Sequence, residues 1–160
     1  MLKITVLCVG KLKEKHYISA CQEYLKRLGA YASVLVSELP ELPMGDGASR
    51  AQISDALERE AEGILKKIPK GAFVIPLCVE GELLSSEDLA ARISKLQVQG
   101  VSNVCFLIGG SNGLSDTVKR LGGLKLSMSR MTFPHHLARV MLLEQIYRAF
   151  QILQGGNYHK

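Results

Sequence analysis

Apolar residues recur along the chain in two alternating patterns, one typical of strands and one typical of helices. Short apolar runs rich in β-branched residues and closed by glycine, proline or polar positions predict strands. These predicted strands cover residues 2–9, 32–39, 72–79, 103–108 and 124–128. Apolar residues spaced three and four apart predict helices in the intervening segments. These predicted helices cover residues 14–28, 51–67, 85–99, 115–120 and 134–153.

The alternation of strands with helices predicts an α/β fold, with a mostly parallel sheet and helices on both of its faces. The segment PELPMGDGAS, residues 40–49, is rich in proline, glycine and acid and predicts a loop. No internal repeat, low-complexity tract or long linker divides the chain. At 160 residues, we expect one domain spanning residues 1–160.

The last predicted helix, residues 134–153, is apolar around most of its circumference. A helical wheel leaves a narrow polar strip of Glu144, Arg148 and Gln151, in which Glu144 and Arg148 are spaced to pair. A terminal helix that packs on one sheet exposes about half of its surface to water. We therefore expect a second burying surface for this helix, supplied by a second copy of the chain in a homodimer.

The composition of the chain is typical of a globular protein and gives no sign of a membrane-spanning helix. Hydrophobic residues make up 47% and charged residues 22%, which is ordinary for a globular protein. No apolar run approaches the roughly 18 residues of a membrane span, and the N-terminus reads as a strand, so we expect a cytoplasmic protein without a membrane partner. The net charge of +5 weakly favours a polyanionic partner. The four cysteines show no metal-site spacing and are expected to be core thiols, with no metal bound.

The stretch FLIGGSNG, residues 106–113, joins a buried strand to a glycine turn. Such junctions in α/β proteins commonly hold a ligand, often a phosphate. The spacing G-G-x-x-G matches neither the dinucleotide motif nor the P-loop, so the turn alone does not identify its ligand.

Four other places carry candidate chemistry. His159 and Tyr158 lie in a short tail after Gly155-Gly156. This tail is either a frayed chain end or a group of residues suited to RNA contact. His135-His136 begin the last helix, where contacts at the helix start are the simpler interpretation. Arg139 falls among apolar neighbours and must face a carboxylate, a carbonyl or a bound anion. The basic segment KLKEKH, residues 11–16, is either solvated surface or part of a ligand crevice.

Four segments together resemble one known family. They are GKLKEKHY near the start, FLIGGSNGL, LSMSRMTFPHHLARVMLLEQIYRAFQI and the terminal YHK. In this order and spacing, they resemble the RlmH family of SPOUT-class methyltransferases, which modify a pseudouridine of 23S ribosomal RNA. The similarity runs essentially from end to end.

The resemblance implies a C-terminal part threaded into a trefoil knot, a rarity that periodicity cannot reveal. It implies a homodimer that transfers a methyl group from S-adenosylmethionine to N3 of a pseudouridine in 23S ribosomal RNA. Because the charge is modest and no aromatic RNA platform is present, we expect assembled ribosomes to be the substrate.

The resemblance also implies site residues. The cofactor site would be formed by the strand end at Leu77, the turn at Gly109 and the loop Met128, Ser129, Arg130, Met131, Thr132 and Phe133. Removing the imide proton calls for a base, and His159 suits that role by its ordinary pKa. Tyr158 would position the target base, and Arg139 would hold a phosphate or the ring anion.

Two competing functions are a noncatalytic ribosome-binding protein and a nucleotide-binding oxidoreductase. The first would tolerate loss of the cofactor residues, which are all present. The second calls for G-x-G-x-x-G and an acid about 20 residues later, and neither Gly10 nor Gly109 begins such a motif.

Overall fold

The predicted strands pair in one parallel sheet. The computed structural model describes residues 1–159, so Lys160, the last residue of the predicted tail, lies outside the described residues. Within residues 1–159 the sheet has five strands, in the spatial order β2-β1-β4-β3-β5, and every pairing is parallel. The strands are β1 Leu2–Val9, β2 Ala32–Leu39, β3 Phe73–Leu83, β4 Asn103–Ile108 and β5 Leu126–Ser127.

The helices also form where the apolar spacing predicts them. They are α1 Lys15–Leu28, α2 Arg50–Lys67, α3 Ser86–Val98, α4 Asp116–Lys119 and α5 His135–Leu153. Two of them begin with a reciprocal capping box, in which Ser49 exchanges hydrogen bonds with Gln52 and Ser85 with Asp88. These caps satisfy backbone N–H groups that the first helical turn leaves without partners and so fix where each helix starts.

The helices cover both faces of the sheet, as predicted. Alternate residues of β1 point to opposite faces, so that Ile4 and Val6 pack with α1, α3 and α5 while Leu7 and Val9 pack with α2 and α4. Both faces are therefore apolar, as expected for a parallel sheet. The core on the α1, α3 and α5 side is the larger of the two.

Strand β3 is longer than its sequence pattern predicts. Its first part, from Phe73 to Pro76, pairs with β4, and its later part pairs with β5 after a shift of register between Leu77 and Glu82. Gly81 lies so close to β5 that a Cβ atom there would be 2.7 Å from the carbonyl oxygen of Lys125. Because this second pairing is tertiary, the local pattern of residues 72–79 gave no sign of it.

Helix α5 is buried mainly by its own chain. It packs on the sheet through the larger core and lies between α1 and α3, which supply the second burying surface that its apolar circumference calls for. Phe150 stacks on Tyr31, with ring centroids 6.0 Å apart, inside this core. We expected this surface from a second copy of the chain; α1 and α3 supply it at least in part, and the homodimer stays a prediction. The predicted pair of Glu144 and Arg148 is confirmed at 2.7 Å.

Three of the four cysteines, Cys8, Cys21 and Cys105, are buried core thiols, and Cys78 is half-buried. Among residues 1–159, no cluster of His, Cys, Asp and Glu side chains has the arrangement of a metal site. No helix in the described part of the chain is long and apolar enough to cross a membrane.

Candidate active site

A cleft of about 660 Å³ lies at the carboxyl end of β4, between the middle of β3 and the loop after β5. Ligands of open α/β sheets bind at this end of the strands. The predicted residues Leu77, Gly109 and most of the loop 128–133 line the cleft together, although they are widely separated in sequence.

The glycine turn after β4 closes on itself. The Gly113 N–H donates to the carbonyl oxygen of Gly110 at 3.0 Å, and Gly113 has a φ of +79°, which favours glycine. A Cβ atom on Gly109 would lie 2.4 Å from the carbonyl carbon of Gly113. Gly109 is therefore required by the turn itself, in addition to any close approach of a ligand.

Behind this turn lies a carboxylate that the sequence did not single out. Glu41, in the loop after β2, accepts a hydrogen bond from the Ser111 N–H at 2.8 Å. A Cβ atom on Gly110 would be 2.6 Å from the same carboxylate oxygen. Because Glu41 occupies this N–H and brings negative charge, the turn is unsuited to a pyrophosphate, which argues against a dinucleotide oxidoreductase.

The loop after β5 is held by its own polar groups. The Ser127 hydroxyl donates to the carbonyl of Ser129 at 3.0 Å, and the Ser129 hydroxyl accepts from the Met131 N–H at 3.0 Å. The Arg130 guanidinium donates to the carbonyls of Val79 and Gly81 on β3. Of the six predicted loop residues, Arg130 alone does not line the cleft, and it ties the loop to β3 instead.

The surroundings of the cleft shift the pKa values of three of its titratable groups. Burial raises the pKa of the Cys78 thiol, so it stays protonated at neutral pH. The Nζ atom of Lys119 lies 2.5 Å from the Oε1 atom of Glu80, and this hydrogen bond lowers the pKa of the Glu80 carboxyl group. Burial lowers the pKa of His135, so its imidazole is neutral near pH 7.

The two adjacent histidines have separate surroundings. His135 lines the cleft, whereas the Nδ1 atom of His136 lies 3.4 Å from a carboxylate oxygen of Glu14. The expected polar contact at the helix start is therefore found for His136, whereas the position of His135 in the cleft was not predicted. The signal that could have found His135 was its position directly after the predicted cofactor loop.

Arg139 has the partner that its burial demands. Its Nη1 atom donates to Glu38 at 2.7 Å and its Nη2 atom donates to the carbonyl of Gly10 at 3.2 Å. The same Glu38 oxygen accepts from the Leu12 N–H at 2.7 Å. Burial alone would raise the pKa of Glu38, but the hydrogen bonds from Arg139 and Leu12 outweigh it and hold that pKa below its usual value. Arg139 is not among the residues that line the cleft.

The C-terminal tail packs on α5 and α3, outside the cleft of its own chain. The Tyr158 ring lies edge-on to Tyr147, with centroids 4.9 Å apart, and the Arg148 guanidinium lies 4.8 Å from the centre of the same ring. The Nε2 atom of His159 is 2.6 Å from a carboxylate oxygen of Glu87. None of these five residues lines the cleft, so the chain does not bring its own tail to its own candidate cofactor site.

The cleft thus combines the end of a parallel strand, a glycine turn and the loop before the last helix. Comparison with protein families identifies the chain. Residues 2–159 match the family model described as "Predicted SPOUT methyltransferase", and the chain belongs to this family of SPOUT methyltransferases.

Within that family, the chain is similar to curated proteins named "Ribosomal RNA large subunit methyltransferase H". It is 45% identical to the protein of Desulforamulus reducens over 160 residues, covering 100% of both chains. It is 48% identical to that of Bacillus pumilus over 159 residues, covering 99% of this chain and 100% of the relative. These relatives confirm the resemblance to the RlmH family. A solved tRNA (m1G37) methyltransferase from Aquifex aeolicus is a distant match, with TM-score 0.49, 18% identity, and coverage of 92% of this chain and 69% of that one.

Proposed function

We propose that this protein transfers a methyl group from S-adenosylmethionine to N3 of a pseudouridine in 23S ribosomal RNA, within the ribosome. The observation that carries the proposal is the convergence of Leu77, Gly109 and the loop 128–133 on one cleft, in a chain that matches its methyltransferase relatives from end to end. The family's expected site residues thus meet in space, which their separation in sequence does not guarantee.

The residues of the cleft fit S-adenosylmethionine. Apolar side chains such as Leu77, Leu114 and Phe133 offer surfaces for the adenine ring, beside the backbone of the glycine turn. The carboxylate of Glu41 behind the turn repels phosphates but is compatible with a sulfonium cation. When bound, the cofactor supplies an electrophilic methyl group on that sulfonium. Leu77, Gly109 and the loop 128–133 would hold it in the cleft.

The target nitrogen must lose its proton as the new bond to carbon forms. We assign proton acceptance to His159 and positioning of the target base to Tyr158, both acting at the cleft of a second copy in a homodimer. Two observations support this assignment. The tail leaves α5 through a turn at Gly155, with a φ of +68°, and its contacts lie outside the cleft of its own chain. Movement of the tail, or dimer contacts, would be needed to free His159 from Glu87.

For Arg139 the proposal differs from the expectation of an anion-binding side chain. Its guanidinium is buried and is bonded to Glu38 and to the carbonyl of Gly10. We assign it the role of a positioning residue, which holds the ends of β1 and β2 beside the cleft.

The homodimer has a candidate surface beside the cleft. A groove between α3 and α5 is lined partly by Leu84, Val140 and Met141, and it reaches Met128 of the cofactor loop. A partner seated in this groove would lie next to the cleft, as a shared active site requires.

Methyl transfer with radiolabelled S-adenosylmethionine tests the proposal. The protein is incubated with free 23S ribosomal RNA, with large subunits and with whole ribosomes, and incorporated label is counted in the RNA. We expect efficient labelling of assembled particles and poor labelling of free RNA. Binding to ribosomes without label in any of the three would instead indicate a noncatalytic ribosome-binding protein.

A further inference from the structure

The segment Lys11–His16, here called the basic loop although its last two residues begin α1, does not line the cofactor cleft. It carries three lysines, Lys11, Lys13 and Lys15, against one acid, Glu14, and all four side chains are exposed. Within residues 1–159 none of these lysines forms an ion pair, whereas Glu14 is approached by His136. We propose that the basic loop binds phosphates of the ribosomal RNA next to the methylated base. This inference rests on the proposed function.

The basic loop starts at the edge of the cleft. It follows β1, the strand that pairs with β4, and the turn after β4 forms one wall of the cleft. A Cβ atom on Gly10, the residue before the loop, would lie 3.5 Å from the Nε2 atom of His135, which lines the cleft. A nucleotide whose base enters the cleft on this side would have its flanking phosphates within reach of this loop.

The base of the loop is held by buried contacts. The Gly10 N–H donates to the carbonyl of Leu39 at 2.7 Å, the carbonyl of Gly10 accepts from Arg139, and the Leu12 N–H donates to Glu38. Leu12 itself is buried in the core. With Leu12 turned inward, Lys11 and Lys13 on either side of it are directed outward. Because the backbone is already ordered, binding costs less conformational entropy than it would for a mobile basic tail.

Charge complementarity favours RNA as the occupant. Lysine ammonium groups bind phosphates as point charges without reading sequence, which suits a contact that orients RNA beside the cleft. An acidic protein surface would also attract lysines, but the proposed substrate places RNA phosphates at this edge of the sheet in any case. RNA is therefore the partner to which the position of the loop points.

The test compares two triple variants of the full chain. In the first, Lys11, Lys13 and Lys15 are all changed to Gln. In the matched control, Lys66, Lys67 and Lys70 are changed to Gln. These control lysines are also exposed, but they lie in the last turn of α2 and just before β3, at the opposite end of the parallel sheet from the cleft.

We measure kcat/KM on unmethylated ribosomes over a series of salt concentrations. For the basic-loop variant we expect a loss of roughly tenfold or more at moderate salt, mainly in KM. The slope of log kcat/KM against log salt should become shallower by roughly 0.7–0.9 for each phosphate that the loop no longer neutralises. Affinity for S-adenosylhomocysteine should not change. The control variant should keep the wild-type slope, and equal behaviour of the two variants would overturn the inference.

Binding to protein-free 23S ribosomal RNA at low salt separates RNA from a ribosomal protein as the partner. The basic-loop variant should bind this RNA more weakly than the wild type and the control. If its defect appears on ribosomes but not on protein-free RNA, the loop contacts a ribosomal protein and the inference is wrong. If the wild-type protein methylates no ribosomal substrate, the proposed function is wrong. This outcome differs from a failure of the loop inference, in which the wild type is active and the basic-loop variant behaves like the control.

Discussion

Gly110 lies between the cofactor cleft and the carboxylate of Glu41, and a single added methyl group tests that contact. In Gly110→Ala the new Cβ atom would meet a Glu41 oxygen at 2.6 Å, so the carboxylate must leave the Ser111 N–H. We expect the loosened turn to weaken binding of S-adenosylhomocysteine by roughly tenfold, the equivalent of about 1.4 kcal/mol and near the upper end of the net range for a typical hydrogen bond. Titration calorimetry measures this affinity.

The matched control for this change is Gly45→Ala. A Cβ atom on Gly45 would meet nothing within 4 Å, so this variant should bind the cofactor product as the wild type does. Wild-type affinity in Gly110→Ala would show that the contact with Glu41 does not shape the cleft.

The buried pair of Arg139 and Glu38 predicts a pH-dependent stability. The pKa of Glu38 is lowered in the folded protein, so its contribution is present above the ordinary carboxyl pKa and is lost as the pH falls through the folded value. Glu38→Gln leaves the guanidinium without its counter-charge. Since Glu38 is partly exposed, we expect a cost of about 2 kcal/mol at pH 7, below the range for a fully buried pair.

Urea unfolding at pH 7 and near pH 3.5 checks this prediction. The difference in stability between the wild type and Glu38→Gln should shrink at the lower pH, because below the ordinary carboxyl pKa the unfolded wild-type chain takes up a proton at this residue before the folded protein does. The exposed Glu62→Gln, on α2, should change stability little at either pH. A difference that stays constant with pH would contradict the role given to the charge of Glu38.

At the scale of elements, hydrophobic periodicity predicted each strand and helix of the described chain to within a few residues. This worked because β-branched runs such as residues 103–108 and caps such as Ser85 act locally. The extension of β3 and the burial of α5 between α1 and α3 depend on tertiary pairing, which no local pattern contains. The trefoil knot expected from the resemblance stays a prediction.

The C-terminal tail is the element whose function is most open to test. Deleting residues 157–160 should abolish methyl transfer while sparing cofactor binding. A small loss of stability is expected as well, because Tyr158 packs on Tyr147. His159→Ala should lower turnover by roughly 10²–10⁴ if it accepts the proton.

A conservative change in the same tail serves as the control. Tyr158→Phe keeps the ring that packs on Tyr147 and loses only the hydroxyl contact with Tyr24, so it should cost less stability than the deletion. Full activity of the truncated chain on ribosomes would show that the tail has no role in methyl transfer. A loss of turnover well below tenfold in His159→Ala would show that His159 is not the proton acceptor, and would leave it as an RNA contact.

For the whole molecule, the oligomeric state can be tested at the groove between α3 and α5. Met141 lines this groove and is only half-buried, so Met141→Glu should separate a dimer without unfolding the chain. Light scattering should give the wild type twice the 17.5 kDa of one chain, and the variant a single chain with unchanged circular dichroism. Leu65→Glu, at an exposed position of α2, should stay dimeric. A monomeric wild type at micromolar concentration would contradict the proposed dimer.

The candidate site was predictable from sequence only in part. Resemblance located Leu77, Gly109 and the loop 128–133, since these lie in recognisable segments, and the structure brings them to one cleft. Glu41 was missed because its role depends on the loop after β2 returning to the turn after β4. The pairing of Arg139 with Glu38 likewise joins residues far apart in sequence, so only the demand for some partner could be foreseen.

The most direct test of the account is the identity of the methylated nucleoside. Unmethylated ribosomes are incubated with the protein and S-adenosylmethionine carrying an isotopically labelled methyl group, and the RNA is digested to nucleosides for mass spectrometry. The account predicts that the label appears in pseudouridine methylated at N3, and that Gly110→Ala lowers this signal at limiting cofactor. Label in a different nucleoside, or no label from a protein that still binds S-adenosylhomocysteine, would contradict it.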